Sequence, residues 1–171
     1  MVKDKGINEL IIAFRKISNQ KLKCKLLLVG TYEKDLDPLL PETEHEINTY
    51  PNIIFVGWQT DVRPYLAISN ILAFPSYREG FPNVVMQAGA MGLASIVTDI
   101  NGCNEIVTDQ HNGEIIPVKD SEKLYDSIKK LVEDEALRNK MASNARTSII
   151  NRYNNEYVWR ELLKEYRSLI N

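Results

Sequence analysis

Three short segments limit what this chain can fold into. Ile53-Ile54-Phe55-Val56 and Ile71-Leu72-Ala73-Phe74 are apolar at every position, and Ala94-Ser95-Ile96-Val97 at all but one. Each is bounded by Gly, Pro, Asn or Asp. A strand with one wet face alternates apolar and polar residues, so runs like these suit strands buried on both faces. An earlier run, Cys24 to Val29, closes at Gly30, and a later one, Glu114 to Val118, follows the turn sequence His111-Asn112-Gly113. Helical segments separate the runs: Ile7 to Asn19, an exposed polar helix around Glu42 to Ile47, Val62 to Ile68, and Asn83 to Met91. Buried strand alternating with helix predicts a doubly wound α/β domain with a parallel sheet. Three helices then fill the C-terminal third, marked by Leu124, Ile128 and Leu131, by Leu137, Met141 and Ala145, and by Val158, Leu162 and Leu169.

At 171 residues the chain has room for one domain, and no linker-like stretch or solenoid repeat divides it. Lys and Arg total 21 against 23 Asp and Glu, so the net charge of −2 leaves no basic footprint for nucleic acid or an anionic membrane. No apolar run reaches the ~18–20 residues of a membrane span, and the first residues lack the apolar core of a signal peptide. Cys24 and Cys103 match neither a metal cluster nor a disulfide framework and read as free thiols of a reducing compartment. His45 and His111 stand too far apart, with too few companions, to serve as metal ligands or a catalytic base.

In a doubly wound sheet, ligands bind beyond the carboxyl ends of the strands. There the chain reads Pro75-Ser76-Tyr77-Arg78-Glu79-Gly80-Phe81-Pro82-Asn83 before a helix begins. Gly80 permits close backbone approach, and Pro82 suits the first helical position, where no amide donor is needed. The unpaired N–H groups and positive dipole end of that helix favour a phosphate. Asn83 and Gln87, four apart, share a helix face, and Glu79 lies at the same end. Two amides and a carboxylate match the hydroxyls of a ribose or hexose, each of which both donates and accepts. A strand-turn-helix of this composition also occurs without any ligand, so the local pattern alone leaves both readings open.

The residues Glu79-Gly80-Phe81-Pro82-Asn83-Val84-Val85-Met86-Gln87-Ala88, then Gly92, Ile96-Val97-Thr98-Asp99, Gly102 and Asn104-Glu105-Ile106-Val107, resemble the C-terminal nucleotide-sugar-binding domain of the family 4 (group 1) glycosyltransferases with the GT-B fold. That resemblance implies a Rossmann-like half of a GT-B enzyme. It gives Glu79 as the catalytic carboxylate beside the donor sugar, and Lys5, Gly80, Phe81, Pro82, Asn83 and Val84 as the donor and phosphate contacts. Position 87 would hold the ribose hydroxyls. Gln87 stands where the family carries a second Glu, which replaces charge-assisted bonds with neutral ones. Gln59, Thr60 and Asp61 would flank the base. Trp58 reads more simply as core or rim packing, and Asn104 as a helix N-cap.

The resemblance further implies a retaining transfer from a UDP- or GDP-sugar, without a metal ion or other cofactor, to a saccharide or lipid-linked acceptor in surface polysaccharide or glycolipid synthesis. It places the enzyme in the cytoplasm or at the inner face of the membrane, with peripheral membrane association open to the full-length form. The family's phosphate-binding Arg, first strand and N-terminal acceptor domain would all precede Met1, so the domain is expected to be truncated at its N-terminus and inactive alone, with Met1 as an internal methionine. The absent strand would be central, leaving two strand edges unpaired. The last run, Tyr153 to Ile170, reads as an amphipathic helix whose apolar stripe packs on a core, and the resemblance implies that part of that stripe is left uncovered. A non-catalytic nucleotide-binding or interaction module derived from such an enzyme is the rival reading. A dinucleotide-dependent oxidoreductase is disfavoured, because no Gly-x-Gly-x-x-Gly or P-loop is present.

Overall fold

All strand pairs are parallel, as the continuous apolar runs require. The protein is described by a computed structural model in which residues 1–20, 22–33 and 35–170 are placed. A 3-10 turn (Lys3–Lys5) leads into α1 (Ile7–Asn19), β1 (Leu26–Leu28), α2 (Pro41–Thr49), β2 (Ile53–Phe55) and α3 (Arg63–Ala67). There follow β3 (Ile71–Phe74), α4 (Asn83–Ala90), β4 (Ala94–Thr98), α5 (Cys103–Ile106) and β5 (Gly113–Ile116). Three helices close the chain: α6 (Ser121–Glu133), α7 (Glu135–Arg152) and α8 (Asn155–Ile170). Asp120 and Asp134 cap α6 and α7 by accepting from the Lys123 and Leu137 amides at 2.9 and 2.8 Å, each such cap being worth about 1 kcal/mol.

The strands form two sheets, β1-β2 and β3-β4-β5, and among the described residues no ladder joins β1 to β3. The period of two along each strand sorts the second sheet's side chains between two cores. Ile71, Ala73, Ala94, Ile96 and Ile116 pack with α1 and α6, together with Leu28 and Ile53 of the first sheet. Leu72, Phe74, Val97 and Ile115 face the other way, toward Val85 of α4 and Ile149 of α7. The second sheet is therefore covered on both faces, and α1 bridges the two sheets through Leu10, Ile11, Phe14 and Ile17, all buried. Burying a side chain of that size contributes ~1.5–3 kcal/mol.

Several local expectations change. Ile54 lies on the far face of the first sheet and is 40% exposed, so β2 is not buried on both faces. The polar helix α2 is not wholly exposed, since it inserts Thr43 and Ile47 into the core. Pro82 is the N-cap of α4, one residue before the helix. Its carbonyl accepts from the Val85 and Met86 amides at 3.1 and 3.4 Å. Gly102, not Asn104, is the N-cap of α5, and the Asn104 amide side chain instead donates to Asp99 Oδ1 at 3.1 Å. Trp58 is 68% exposed, on the surface and outside the core. A side chain in so short a loop has no helix or sheet face to direct it inward.

Both cysteines are free, and the described residues contain no group of His, Cys, Asp or Glu able to hold a metal ion. No described helix is long and apolar enough to cross a membrane. No residue of α8 is buried, and its stripe of Val158, Trp159, Leu162, Leu163, Tyr166 and Leu169 stands open.

The split sheet has a measurable consequence. β4 is paired on both sides, whereas β1 and β3 each present one unpaired edge. Amide exchange at Ile96 and Val97 is expected to be at least tenfold slower than at Leu27 and Leu28, with a melt of low cooperativity. Equal protection in β1 and β4, together with a single sharp melt, would contradict this.

Candidate functional site

The chain comes closest to itself beyond the carboxyl end of β3, where two glycines allow main chain to meet main chain. Gly6, at φ +67°, ends the 3-10 turn, and a Cβ there would lie 2.0 Å from the Pro75 carbonyl oxygen. Gly102, at φ +76°, starts α5, and a Cβ there would lie 2.2 Å from the Gly80 carbonyl oxygen. Only glycine tolerates both the left-handed backbone and that approach. The Tyr77 amide also donates to the Asp4 carbonyl at 2.8 Å. Three stretches that are distant in sequence, Asp4–Gly6, Ser76–Phe81 and Gly102–Cys103, are thereby brought together.

At this junction Lys5 Nζ meets Glu79 Oε1 at 2.5 Å. The fully buried Ser76 hydroxyl gives its proton to the same oxygen at 2.8 Å. Thr98 Oγ1 in turn donates to the Ser76 carbonyl. The Glu79 side chain is 15% exposed and held in one place, while the Lys5 side chain stays 43% exposed and within reach of a ligand. Burial, and then the Glu79 charge, push the Cys103 thiol up to about 12, which marks how near α5 begins to the carboxylate. Burial and a hydrogen bond with Glu9 raise the Tyr77 phenol above its ordinary range. Arg78 reaches back to Asp4 Oδ2 at 2.7 Å from an exposed position.

Past Glu79 the turn is open. A Cβ on Gly80 would meet nothing within 4 Å, so this glycine leaves space over the backbone. Among the described residues, the amides of Gly80, Phe81, Asn83 and Val84 donate to no protein group. Four N–H groups without a protein acceptor at the positive end of α4 make this turn a candidate anion site. The Phe81 ring stacks edge-on against Tyr153, with centroids 5.6 Å apart. Val84 packs its side chain against the core beneath α4. Asn83 and Gln87 are exposed on α4.

The base-flanking candidates lie on the loop between β2 and α3. Gln59 Nε2 donates to the Val56 carbonyl at 2.9 Å. Asp61 is engaged by its own loop, taking two bonds from the Arg63 guanidinium at 2.8 Å and one from the Arg63 amide at 3.0 Å. The Arg63 hydrogen bonds hold its carboxyl down at about 2. The structure thus gathers Lys5, Glu79, Gly80, Phe81, Pro82, Asn83 and Val84 at the carboxyl end of β3 and the start of α4, with Gln87 exposed farther along α4 and with Gln59 and Asp61 on the loop after β2. Sequence reasoning missed Ser76 as the anchor of Glu79, and Gly6 and Gly102 as spacers. The available signal was a lone glycine next to each approach, which only the fold makes legible.

These spacers and the buried thiol can be tested. Gly102→Ala forces both a backbone strain of ~1–3 kcal/mol and a main-chain clash, so urea denaturation should show a loss of about 2 kcal/mol or more. A loss under ~0.5 kcal/mol, the size of an ordinary surface change, would contradict the close approach. Cys103, with its thiol held protonated, is expected to resist alkylation at pH 8 until the chain is unfolded, whereas the half-exposed Cys24 reacts in the native protein.

The geometry agrees with what the chain is similar to. Residues 1–148 match the family model of glycosyl transferases group 1. The capsular polysaccharide biosynthesis glycosyltransferase CapM of Staphylococcus aureus is 31% identical over 171 residues, which are 99% of this chain and 44% of CapM. The C-terminal domain of the group 1 glycosyl transferase LpcC of Francisella tularensis superposes with a TM-score of 0.81 at 26% identity, covering 91% of this chain and 83% of that one. Anabaena HepE in complex with UDP-glucose shares the fold, with a TM-score of 0.82 at 22% identity over 98% of this chain and 46% of its own. The chain spans under half the length of CapM and corresponds to the C-terminal half of the GT-B architecture. The match over residues 1–148 shows that the chain belongs to the group 1 glycosyl transferases.

Proposed function

We propose that this domain is the donor-binding half of a retaining glycosyltransferase that takes a hexose-type sugar from UDP or GDP and passes it to a saccharide or lipid-linked acceptor. The carrying observation is the set of outward amides from Gly80 to Val84 beside Lys5 and Glu79. The amides and Lys5 receive the diphosphate, and Glu79 faces the sugar. Gln87 takes the ribose. Fixed donors aimed at the departing diphosphate stabilise charge without having to reorganise during transfer, and this term dominates many such reactions. In this reading the sugar departs with retained configuration and no metal ion takes part. HepE is described as a complex with UDP-glucose, and CapM as a polysaccharide biosynthesis enzyme. Both fit a role in surface polysaccharide or glycolipid synthesis at the cytoplasmic side of a membrane.

The acceptor side would come from an N-terminal domain. The unpaired edges of β1 and β3 and the open stripe of α8 support an upstream strand and domain that complete this half. The 171 residues alone are therefore expected to bind donor and transfer nothing.

Calorimetry on the 171-residue chain tests this reading. UDP or GDP should bind and NAD should not. Lys5→Ala should weaken binding about tenfold or more, by losing a charge-assisted contact of ~1.5–3 kcal/mol. Gln87→Glu should tighten it about fivefold, by restoring a charged acceptor to the ribose. Glu79→Gln should weaken the nucleotide sugar more than the bare diphosphate. Binding of none of these nucleotides, or acceptor-dependent release of nucleoside diphosphate by the isolated chain, would count against the reading.

A further inference from the structure

The root of α8 is tied to the open turn through one side chain. Tyr153 closes α7 as its C-cap, with its amide bonded to the Ile149 carbonyl at 2.9 Å. Its hydroxyl donates to the Glu105 carbonyl in α5 at 3.1 Å. Its ring takes Phe81 edge-on at 61°, and the Arg152 guanidinium lies 5.2 Å over that ring. One residue later, Asn154 starts α8 by accepting the Glu156 amide at 2.8 Å on its side chain and the Val158 amide at 3.1 Å on its carbonyl. The two segments that Tyr153 holds are already in contact with each other through Gly102 and the Gly80 carbonyl. A single phenol therefore fastens the turn, α5 and the α7–α8 junction to one another.

We propose that Tyr153 is a positioning residue for the diphosphate turn, coupling the start of α8 to the order of Gly80 and Phe81 and to the seat of α5. The proposal rests on the nucleotide-sugar reading for what the turn binds, but the coupling itself does not need the nucleotide. Phe81 is 41% exposed and lies in a turn whose amides find no protein acceptor, so the aromatic contact supplies its side-chain anchor. The hydroxyl serves α5 and the ring serves the turn, so the two functions can be separated by substitution. Because only Asn154 separates Tyr153 from α8, a displacement of α8 moves the ring and the turn together. Conversely, a ligand that orders the turn is felt in the first turn of α8.

The test uses the 171-residue chain with Tyr153→Phe and Tyr153→Leu. Backbone 15N relaxation at Gly80 and Phe81 reads the turn, and hydrogen exchange at Asn104 and Val107 reads α5. Both are measured without ligand, with Ile96 and Val97 as the reference. Tyr153→Phe, which loses only the hydroxyl, should speed exchange at Asn104 and Val107 about fivefold, the scale of one hydrogen bond, and leave the turn as ordered as before. Tyr153→Leu should loosen both segments.

With UDP added to the unsubstituted chain, the amide signals of Asn155 to Val158 should shift, and Tyr153→Leu should abolish that shift. A purely structural tyrosine would not produce this split between two variants or the long-range shift. Unchanged relaxation and exchange in both variants overturn the proposal. If Tyr153→Leu loosens the whole chain, Tyr153→Phe decides: native exchange at Asn104 and Val107 overturns the coupling, and faster exchange with Ile96 unchanged supports it. Failure of both UDP and GDP to bind while the ligand-free split is seen leaves the coupling standing and overturns the nucleotide reading instead.

Discussion

The structure depends on how closely main chain can approach main chain beyond the carboxyl end of β3. Parallel strands deliver their following loops to the same end of the sheet, but delivery alone does not make a site. Gly6 against Pro75 and Gly102 against Gly80 bring the loops into contact. That contact lets a lysine from before α1 reach a carboxylate from after β3. With a Cβ at either glycine the loops would move apart and the pair would open. The tie is completed beneath the surface by Ser76 and Thr98, which hold Glu79 without occupying the turn.

The architecture was largely legible in the residues because its signal is collective. Continuous apolar runs at Ile71–Phe74 and Ala94–Val97 specify strands covered on both faces, and helical spacing at Leu124, Ile128 and Leu131 specifies α6. The candidate site was legible where chemistry is local, in the Glu79 to Val84 turn and in the glycine left open above it. It was not legible where roles depend on partners far along the chain. Ser76 looked like an ordinary loop serine until the fold set it under Glu79. Tyr153 reads in sequence only as the start of the C-terminal run, and in the fold its hydroxyl meets the Glu105 carbonyl. Of the two readings for Trp58, core or rim packing, its 68% exposure excludes the core.

The two sheets show how a core can persist across a break in hydrogen bonding. α1 packs against side chains of both sheets, so hydrophobic burial bridges what no ladder spans. Burial is non-directional and tolerates such a gap, but backbone N–H and C=O groups do not. Among the described residues the unpaired edges of β1 and β3 and the bare stripe of α8 are the surfaces on which the proposed upstream domain would act. Tyr153 lies between that stripe and the turn after β3, touching Phe81 with its ring and the Glu105 carbonyl with its hydroxyl.

The most direct measurement is a titration of the 15N-labelled chain with UDP and with GDP, followed residue by residue. The account predicts that the largest shifts fall on Gly80, Phe81, Asn83 and Val84, with smaller ones on the Gln87 and Lys5 amides. Shifts centred elsewhere on the molecule, or none at millimolar nucleotide, would contradict it.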